Sequence, residues 1–443
     1  MSSSAGTRSL GLPLGSVLLI WLGQVVSLLG SGLTSFALGV WTYETTGGVT
    51  RFALVMLAAT LPGIVLGPMA GALVDRWNRR WVLVISDIVA GLMTLVLAAL
   101  LFSGHLQPWH AYITTAIVSV ANAFQQPTFS VLVSTVVPPG QLGRANGLIQ
   151  LGLAFSQLAT PMVSAWLLAT IQLQGVLLID AITFILGMLP LLLLRIPSHF
   201  LVPSPRGEHP PILASMMEGG AYLKTAPGLL SLLGFLAASN FLSGIVELLV
   251  TPLVLSMASV TMLGVLTTAG GVGLLAGGVV MSTWGGPKRL ILGVLGSQFA
   301  CGACLVLVGL ATTTPLLATI AFCFFFSVSI INGSSQAILQ LKVPLELRGR
   351  FFAFSGTITG GMVPLAYAIA GPLADSVFVP ALRPGGALVP LLGGLIGEGP
   401  GRGVAAMFFM CGLLTILLTT LALTYRPLRT IDELEVPCPV TPQ

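Results

Sequence analysis

The sequence predicts an all-α integral membrane protein of twelve transmembrane helices in two pseudo-symmetric six-helix bundles. Three observations carry that prediction: the composition, the length of the apolar runs and an internal repeat. Of the 443 residues, 55% are apolar and 7% are charged. A soluble domain carries roughly 25% charged residues, so no soluble surface can be built from this chain.

The apolar runs recur from Gly15 to Tyr425, each long enough to cross ~30 Å of hydrocarbon at ~1.5 Å per helical residue. The first six predicted spans are Gly15 to Trp41, Phe52 to Val74, Trp81 to Phe102, Ala111 to Val136, Ala145 to Ala169 and Gly175 to Leu194. Six more follow at Leu229 to Leu255, Met262 to Met281, Leu290 to Leu310, Pro315 to Leu339, Phe351 to Ser376 and Gly403 to Thr424. The run behind Arg8 is too long for a signal-peptide core and lacks a small-residue cleavage pattern, so it reads as a retained first span.

The repeat divides these spans into halves. GALVDRWNRR lies between spans two and three, and GVVMSTWGGPKR between spans eight and nine; Gly71 matches Gly278 and Trp77 matches Trp284, an offset of 207. Val137, Pro138, Gly143 and Arg144 after span four match Val343, Pro344, Gly349 and Arg350 after span ten, at an offset of 206. Two separate loops agreeing on one spacing imply duplicated six-helix halves, an arrangement that rocks about a central site. The expected organisation is an N-terminal bundle over 1–195, a linker over 196–227, a C-terminal bundle over 228–425 and a tail over 426–443. Five prolines in the first part of the linker exclude a spanning helix, while Ile212 to Lys224 is weakly amphipathic and fits an interfacial helix. Between spans eleven and twelve, a segment from Val377 to Arg402 is rich in Gly and Pro and longer than the other loops on its side.

Charge sets the orientation. Fifteen of the 18 Lys and Arg residues fall on the side of the termini, and only Arg51, Arg383 and Arg402 fall on the other. By the positive-inside bias both termini are expected in the cytoplasm, and the same loops account for the basic balance without nucleic acid. Trp41 and Trp109 fall near one predicted interface, and Trp77, Trp81 and Trp284 near the other, as an aromatic belt requires.

Catalytic readings find little support. His105, His110, His199 and His209 all lie in loops, and the sequence has no phosphate-binding loop, metal cluster or nucleophile constellation. Cys301 and Cys304 have redox-motif spacing but sit inside an apolar run, where small apolar helix residues are the simpler reading. No enzyme activity, cofactor or metal is expected, and the absence of an ATP-binding motif argues against a primary pump.

GALVDRWNRR resembles the signature loop of the major facilitator superfamily, G-x-L-x-D-R-x-G-R-R, with Gly71, Leu73, Asp75, Arg76, Arg79 and Arg80 in place and Asn78 for a Gly. Most of the chain is similar to the branch of macrolide efflux permeases and the enterobactin exporter. The similarity is carried by WLGQVVSLLGSGL, AFQQPTFSVLVSTVVPPGQLGRANGL, LLIDAITFILGMLPLLLLRIP and LRGRFFAFSG. The resemblance implies the major facilitator fold, and contact between Asp75 and the start of span eleven at Arg350 and Phe351. A carboxylate there would be favoured by a helix N-terminus and by Arg350, forming a gating latch. Two family patterns depart: Val118 and Ser119 stand where proton-coupled exporters carry an Arg, and the antiporter motif survives only as Gly147, Ser156, Thr160, Pro161, Ser164 and Ala165.

The resemblance also implies that spans one, four, seven and ten line a central cavity. Each carries polar residues at helical spacing: Gln24, Ser27, Ser31 and Thr34; Ser119, Asn122 and Gln126; Asn240 and Ser243; Ser329, Asn332 and Gln336. Facing lipid they would be costly, so they are expected to face water or one another; helix-to-helix hydrogen bonds without substrate are the competing reading. Glu247 lies eight residues before the end of its predicted span, ~12 Å deep, and no Lys, Arg or His falls in a span to pair with it. It is the candidate proton-coupling residue, with a neutral hydrogen-bonded acid as the alternative. Asp87 and Asp180 lie nearer the interfaces and read as structural hydrogen-bonding residues. Gly63, Gly67 and Gly71 in span two, and Gly273 with Gly277 in span eight, have the spacing of close helix packing.

The function these features imply is proton-coupled export of a small amphiphilic molecule (a drug, macrolide, siderophore or similar secondary metabolite) by alternating access, by a monomer in a bacterial inner membrane. A lipid or lysolipid flippase and a non-transporting receptor or scaffold are the alternatives. The expected partners are that substrate, protons and the lipid bilayer.

Overall fold

The computed structural model describes residues 14–74, 77–137, 142–193, 220, 222–223, 226–311, 313–344, 347–399 and 401–433. Among these it is almost entirely helical. The first four spans are Leu14–Thr46, Val49–Val74, Arg79–Phe102 and Pro108–Val136. A single helix, Leu142–Leu193, carries the next segment, and Pro227–Met257, Val260–Trp284, Leu290–Leu310, Thr314–Lys342, Arg348–Leu373 and Arg402–Thr424 follow. These helices cover all twelve predicted spans, with ends displaced by a few residues. Span four starts at Pro108, where a missing N–H and a fixed φ suit the first helical position.

Eleven helices among the described residues are long and apolar enough to cross a membrane, and one of them makes two crossings. Leu142–Leu193 has 52 residues. At ~1.5 Å per residue that is more than twice a ~30 Å hydrocarbon core. Its backbone leaves the helix at Gln172, at φ 57° and ψ −174°. Spans five and six lie on either side of that residue. This backbone region is essentially reserved for glycine and costs about 1–3 kcal/mol elsewhere, so a tight reversal is held at a non-glycine position.

The chain packs as two compact units. Unit 1 comprises residues 1–41 and 58–209, and unit 2 comprises 42–57 and 210–443. In unit 1, span three packs on span four and on the Leu142–Leu193 helix. Spans one and six approach backbone to backbone at Gly23 and Gly187, where an added Cβ on Gly23 would lie 3.1 Å from the Gly187 carbonyl oxygen. Small residues permit this approach in lipid, where dispersion and hydrogen bonds, rather than water exclusion, hold helices together.

In unit 2, span eight packs on span ten, span seven on spans eleven and twelve, and span nine on spans ten and twelve. A Cβ on Gly277 would lie 2.6 Å from the Phe326 carbonyl oxygen, so the small-residue stripe of span eight seats span ten. The stripe in span two is used unevenly. Gly63 meets Ser119, whereas a Cβ on Gly67 would find open space.

Two apolar clusters fill unit 2. One joins Val49, Phe52 and Ala53 to Leu248, Leu249, Ala370 and Phe408; the other gathers Leu232, Val294, Leu295, Phe351 and Ile431. Residues 42–57 are thus part of the unit 2 core. Asp375 fastens them, accepting hydrogen bonds from the backbone N–H groups of Val49 at 3.0 Å and Thr50 at 2.8 Å. These are orphan donors of the first turn of span two, which a carboxylate satisfies while complementing the helix dipole.

The long segment after span eleven is folded. Span eleven continues as a π-helical turn, Ala374–Phe378, and short helical turns follow at Val379–Ala381, Val389–Gly393 and Gly394–Ile396. Leu382 and Ile396 are buried in the unit 2 core, and Leu388 N–H donates to the Ala381 carbonyl at 3.0 Å.

Candidate transport site

The polar stripe of span one is tied to carboxylates of its own unit. Asp87, 1% exposed on span three, accepts from Gln24 Nε2 at 3.3 Å, Ser27 Oγ at 3.3 Å and Gln125 Nε2 at 2.9 Å. Gln125 Nε2 also meets Gln24 Oε1 at 2.9 Å, which closes a four-residue network across spans one, three and four. About two turns beyond Ser27 on span one, Thr34 Oγ1 donates to Asp180 Oδ2 at 2.6 Å. Thr94 on span three donates to the same oxygen at 2.9 Å. Ser31 donates to the Ser27 carbonyl at 3.1 Å.

The polar residues of the other three spans divide into bonded and free. Ser119 Oγ is buried and accepts from the Gly63 N–H at 3.1 Å. Asn240 Nδ2 donates to the Thr359 carbonyl on span eleven at 3.2 Å. The side chains of Asn122, Gln126, Ser243, Ser329, Asn332 and Gln336 make no hydrogen bond among the described residues, and Gln126, Asn332 and Gln336 are exposed. Ser329 packs its Cβ against Gly277.

Glu247 is exposed on span seven between buried Val246 and Leu248. The sequence offered no basic residue to pair with it, and the structure supplies a neutral one. The buried phenol of Tyr367, on span eleven, lies beside the Glu247 carboxylate. The chain therefore places a carboxylate with one phenolic neighbour at membrane depth, where an ion needs water, a proton or a cation to persist.

Of the expected gating residues, Asp75 and Arg76 lie outside the described residues, and Gly71 lies in the last turn of span two. Arg79 and Arg80 open span three, whose N-cap is Asn78: its side chain accepts from the Arg80 N–H at 3.1 Å. The Arg80 guanidinium donates to the Leu192 carbonyl at the end of span six, at 2.6 Å. Arg350 is exposed in the first turn of span eleven, next to fully buried Phe351. Most of the linker and the interfacial segment expected over 212–224 also lie outside the described residues. Cys301, Cys304, Cys323 and Cys411 are free thiols, and no group of His, Cys, Asp and Glu among the described residues could hold a metal ion.

The family model described as Major Facilitator Superfamily matches residues 20–367, well over half of the chain. The chain belongs to the major facilitator superfamily. Across 378 residues it is 27% identical to macrolide efflux protein A of Streptococcus pyogenes, covering 81% of this chain and 89% of that protein. It is 24% identical over 383 residues to the multidrug efflux pump Tap of Mycolicibacterium fortuitum, covering 82% and 90%. Among solved structures, a bacterial homologue of the human lysosomal transporter Spinster superposes with a TM-score of 0.67 at 14% identity, covering 96% of this chain and 98% of that one. This superfamily member is a multi-pass membrane transporter with efflux proteins as relatives.

Proposed function

We propose that this transporter exports a small amphiphilic molecule of the macrolide or drug type by alternating access, driven by protons. The observation that carries the reading is the set of uncommitted polar side chains at membrane depth, Asn122, Gln126, Asn332 and Gln336, on spans four and ten. Amides without partners are expensive in hydrocarbon, so a wetted path is the setting in which they persist, and they can bond a polar face of a substrate there. Efflux by relatives named for macrolides and multiple drugs supports the direction and the class of cargo.

Glu247 is the proton carrier in this reading. A lone carboxylate with a single phenolic partner can alternate between a neutral and a charged form, and a cationic substrate can replace the proton. Asp75 and Arg350 act as the gating pair at the other end of the same cycle, on the cytoplasmic side. The excess of Lys and Arg on the side of the termini supports cytoplasmic ends in a bacterial inner membrane. A monomer suffices, because both halves of the repeat lie in one chain.

The test is erythromycin uptake by inverted vesicles energised with a pH gradient. Wild type should accumulate the drug and collapse of the gradient should stop it. Glu247→Gln should abolish gradient-driven uptake while retaining drug binding. Uptake by that variant at the wild-type rate would remove Glu247 from the coupling, and transport of lysolipid in place of drug would replace the exporter with a flippase.

A further inference from the structure

Asp180 lies in a small cavity of unit 1 bounded by spans one, three, four and six. It is 1% exposed, and no Lys, Arg or His lines the cavity. What surrounds it is a shell of hydroxyls. Thr34 and Thr94 donate to Oδ2 at 2.6 and 2.9 Å, and Thr183 approaches Oδ1 at 3.5 Å. Ser31, Ser35, Thr114 and Thr115 add further hydroxyls to the lining, and Leu38, Met93 and Phe184 are among its apolar members.

One detail does not belong to a merely structural acid. The Thr115 side chain, 7% exposed, lines the cavity and makes no hydrogen bond among the described residues. Span one carries a glycine beside the carboxylate: a Cβ on Gly30 would lie 2.6 Å from Asp180 Oδ1 and overlap Thr183 Oγ1. Gly30 thus lets the span-one backbone close directly on the carboxylate, while the unused Thr115 hydroxyl remains in the cavity lining.

We propose that this cavity binds a small monovalent cation of sodium type, with Asp180 as its charge partner and the oxygens of Thr34, Thr94 and Thr115 as neutral ligands. Each hydroxyl that donates its proton to Asp180 keeps lone pairs for a cation. Carboxylate and hydroxyl oxygens suit hard ions, and the lining offers no imidazole or thiolate, only the thioether of Met93 on its apolar side. Electroneutrality selects the charge: one carboxylate neutralises a monovalent ion, whereas a divalent one would leave a net positive charge in a low-dielectric site. The site stands in unit 1 whatever molecule the transporter exports, and it is distinct from Glu247 in unit 2.

The experiment follows the thermal unfolding of the full-length protein in nanodiscs by intrinsic tryptophan fluorescence. NaCl is titrated against choline chloride at constant ionic strength, at pH 6 and at pH 8. Wild type should gain several degrees with saturation at pH 8, and Asp180→Asn should show no sodium response. Thr115→Val removes no existing hydrogen bond, so its unfolding midpoint in choline should match wild type while the sodium needed for half the gain rises about tenfold or more. Absence of a sodium response in wild type, a response that survives in Asp180→Asn, or stabilisation that tracks acid pH alone would each overturn the site. The last outcome would leave Asp180 as a protonated, threonine-bonded acid. Drug transport is not measured, so failure here leaves the exporter reading standing.

Discussion

Gln125 on span four reaches the Asp87 carboxylate on span three at 2.9 Å while holding the Gln24 amide oxygen at the same distance. A carboxylate inside a helix bundle is therefore met by two amides and the Ser27 hydroxyl, with no cation needed to seat it. Replacing Asp87 by Ala should lower stability by about 2 kcal/mol. Interhelical hydrogen bonds in membranes contribute ~0.6 kcal/mol each, and orphaned buried donors add to the loss. Asp87→Asn should recover most of it. Unfolding midpoints in detergent test both, and an unchanged midpoint for the Ala variant would deny the network a structural role.

Tyr367 gives Glu247 its one phenolic partner. Tyr367→Phe should therefore slow gradient-driven transport several-fold without abolishing it, a milder defect than that of Glu247→Gln. Initial rates over a range of drug concentrations would show the effect in the maximal rate. Equal rates for Phe and Tyr would mean that the phenol takes no part in the cycle.

The reversal at Gln172 carries backbone strain that glycine would relieve. Gln172→Gly should raise stability by about 1 kcal/mol, once the added freedom of the unfolded chain offsets part of the relief. Gln172→Val should lower it. Thermal scanning of the three proteins in one detergent distinguishes the order Gly, Gln, Val from any other.

Glycines at helical spacing differ in what they do. Gly277→Leu drives a side chain into the Phe326 carbonyl and should cost more than the usual 1–3 kcal/mol of overpacking, roughly 3 kcal/mol or above, because backbone cannot step aside. Gly67→Ala meets nothing within 4 Å and should be neutral or slightly stabilising. Expression level and unfolding midpoint provide the comparison.

Much of the architecture was legible because the bilayer imposes it. Span length and apolarity follow from one dominant physical constraint, and the helices fall where the apolar runs do. Packing partners are set by surface complementarity, which a periodic stripe does not encode. The stripe at Gln24, Ser27 and Thr34 looked alike along its length, yet its members are bonded to Asp87 and Asp180. Gln125 is hidden beside Gln126: Gln126 fits the i, i+3, i+7 face with Ser119 and Asn122, and Gln125, at i+6, falls off it. Tyr367 and Thr94 carry no signal in the sequence, because which residue meets an acid across helices is set by packing and not by spacing along one span. The single-residue break at Gln172 had no turn residue to announce it: the nearest following glycine is Gly175.

Residues 42–57 precede the repeat boundary by well over a hundred positions, yet Val49, Phe52 and Ala53 sit in the core of unit 2 and Asp375 caps the helix that bears them. The C-terminal segment of the chain is consequently not a free-standing module. A fragment beginning at Pro227 would be synthesised with a hole where those three side chains belong and with the Asp375 carboxylate deprived of its two amide donors. During biogenesis, the second half completes its interior only by closing over a hairpin that left the ribosome long before it.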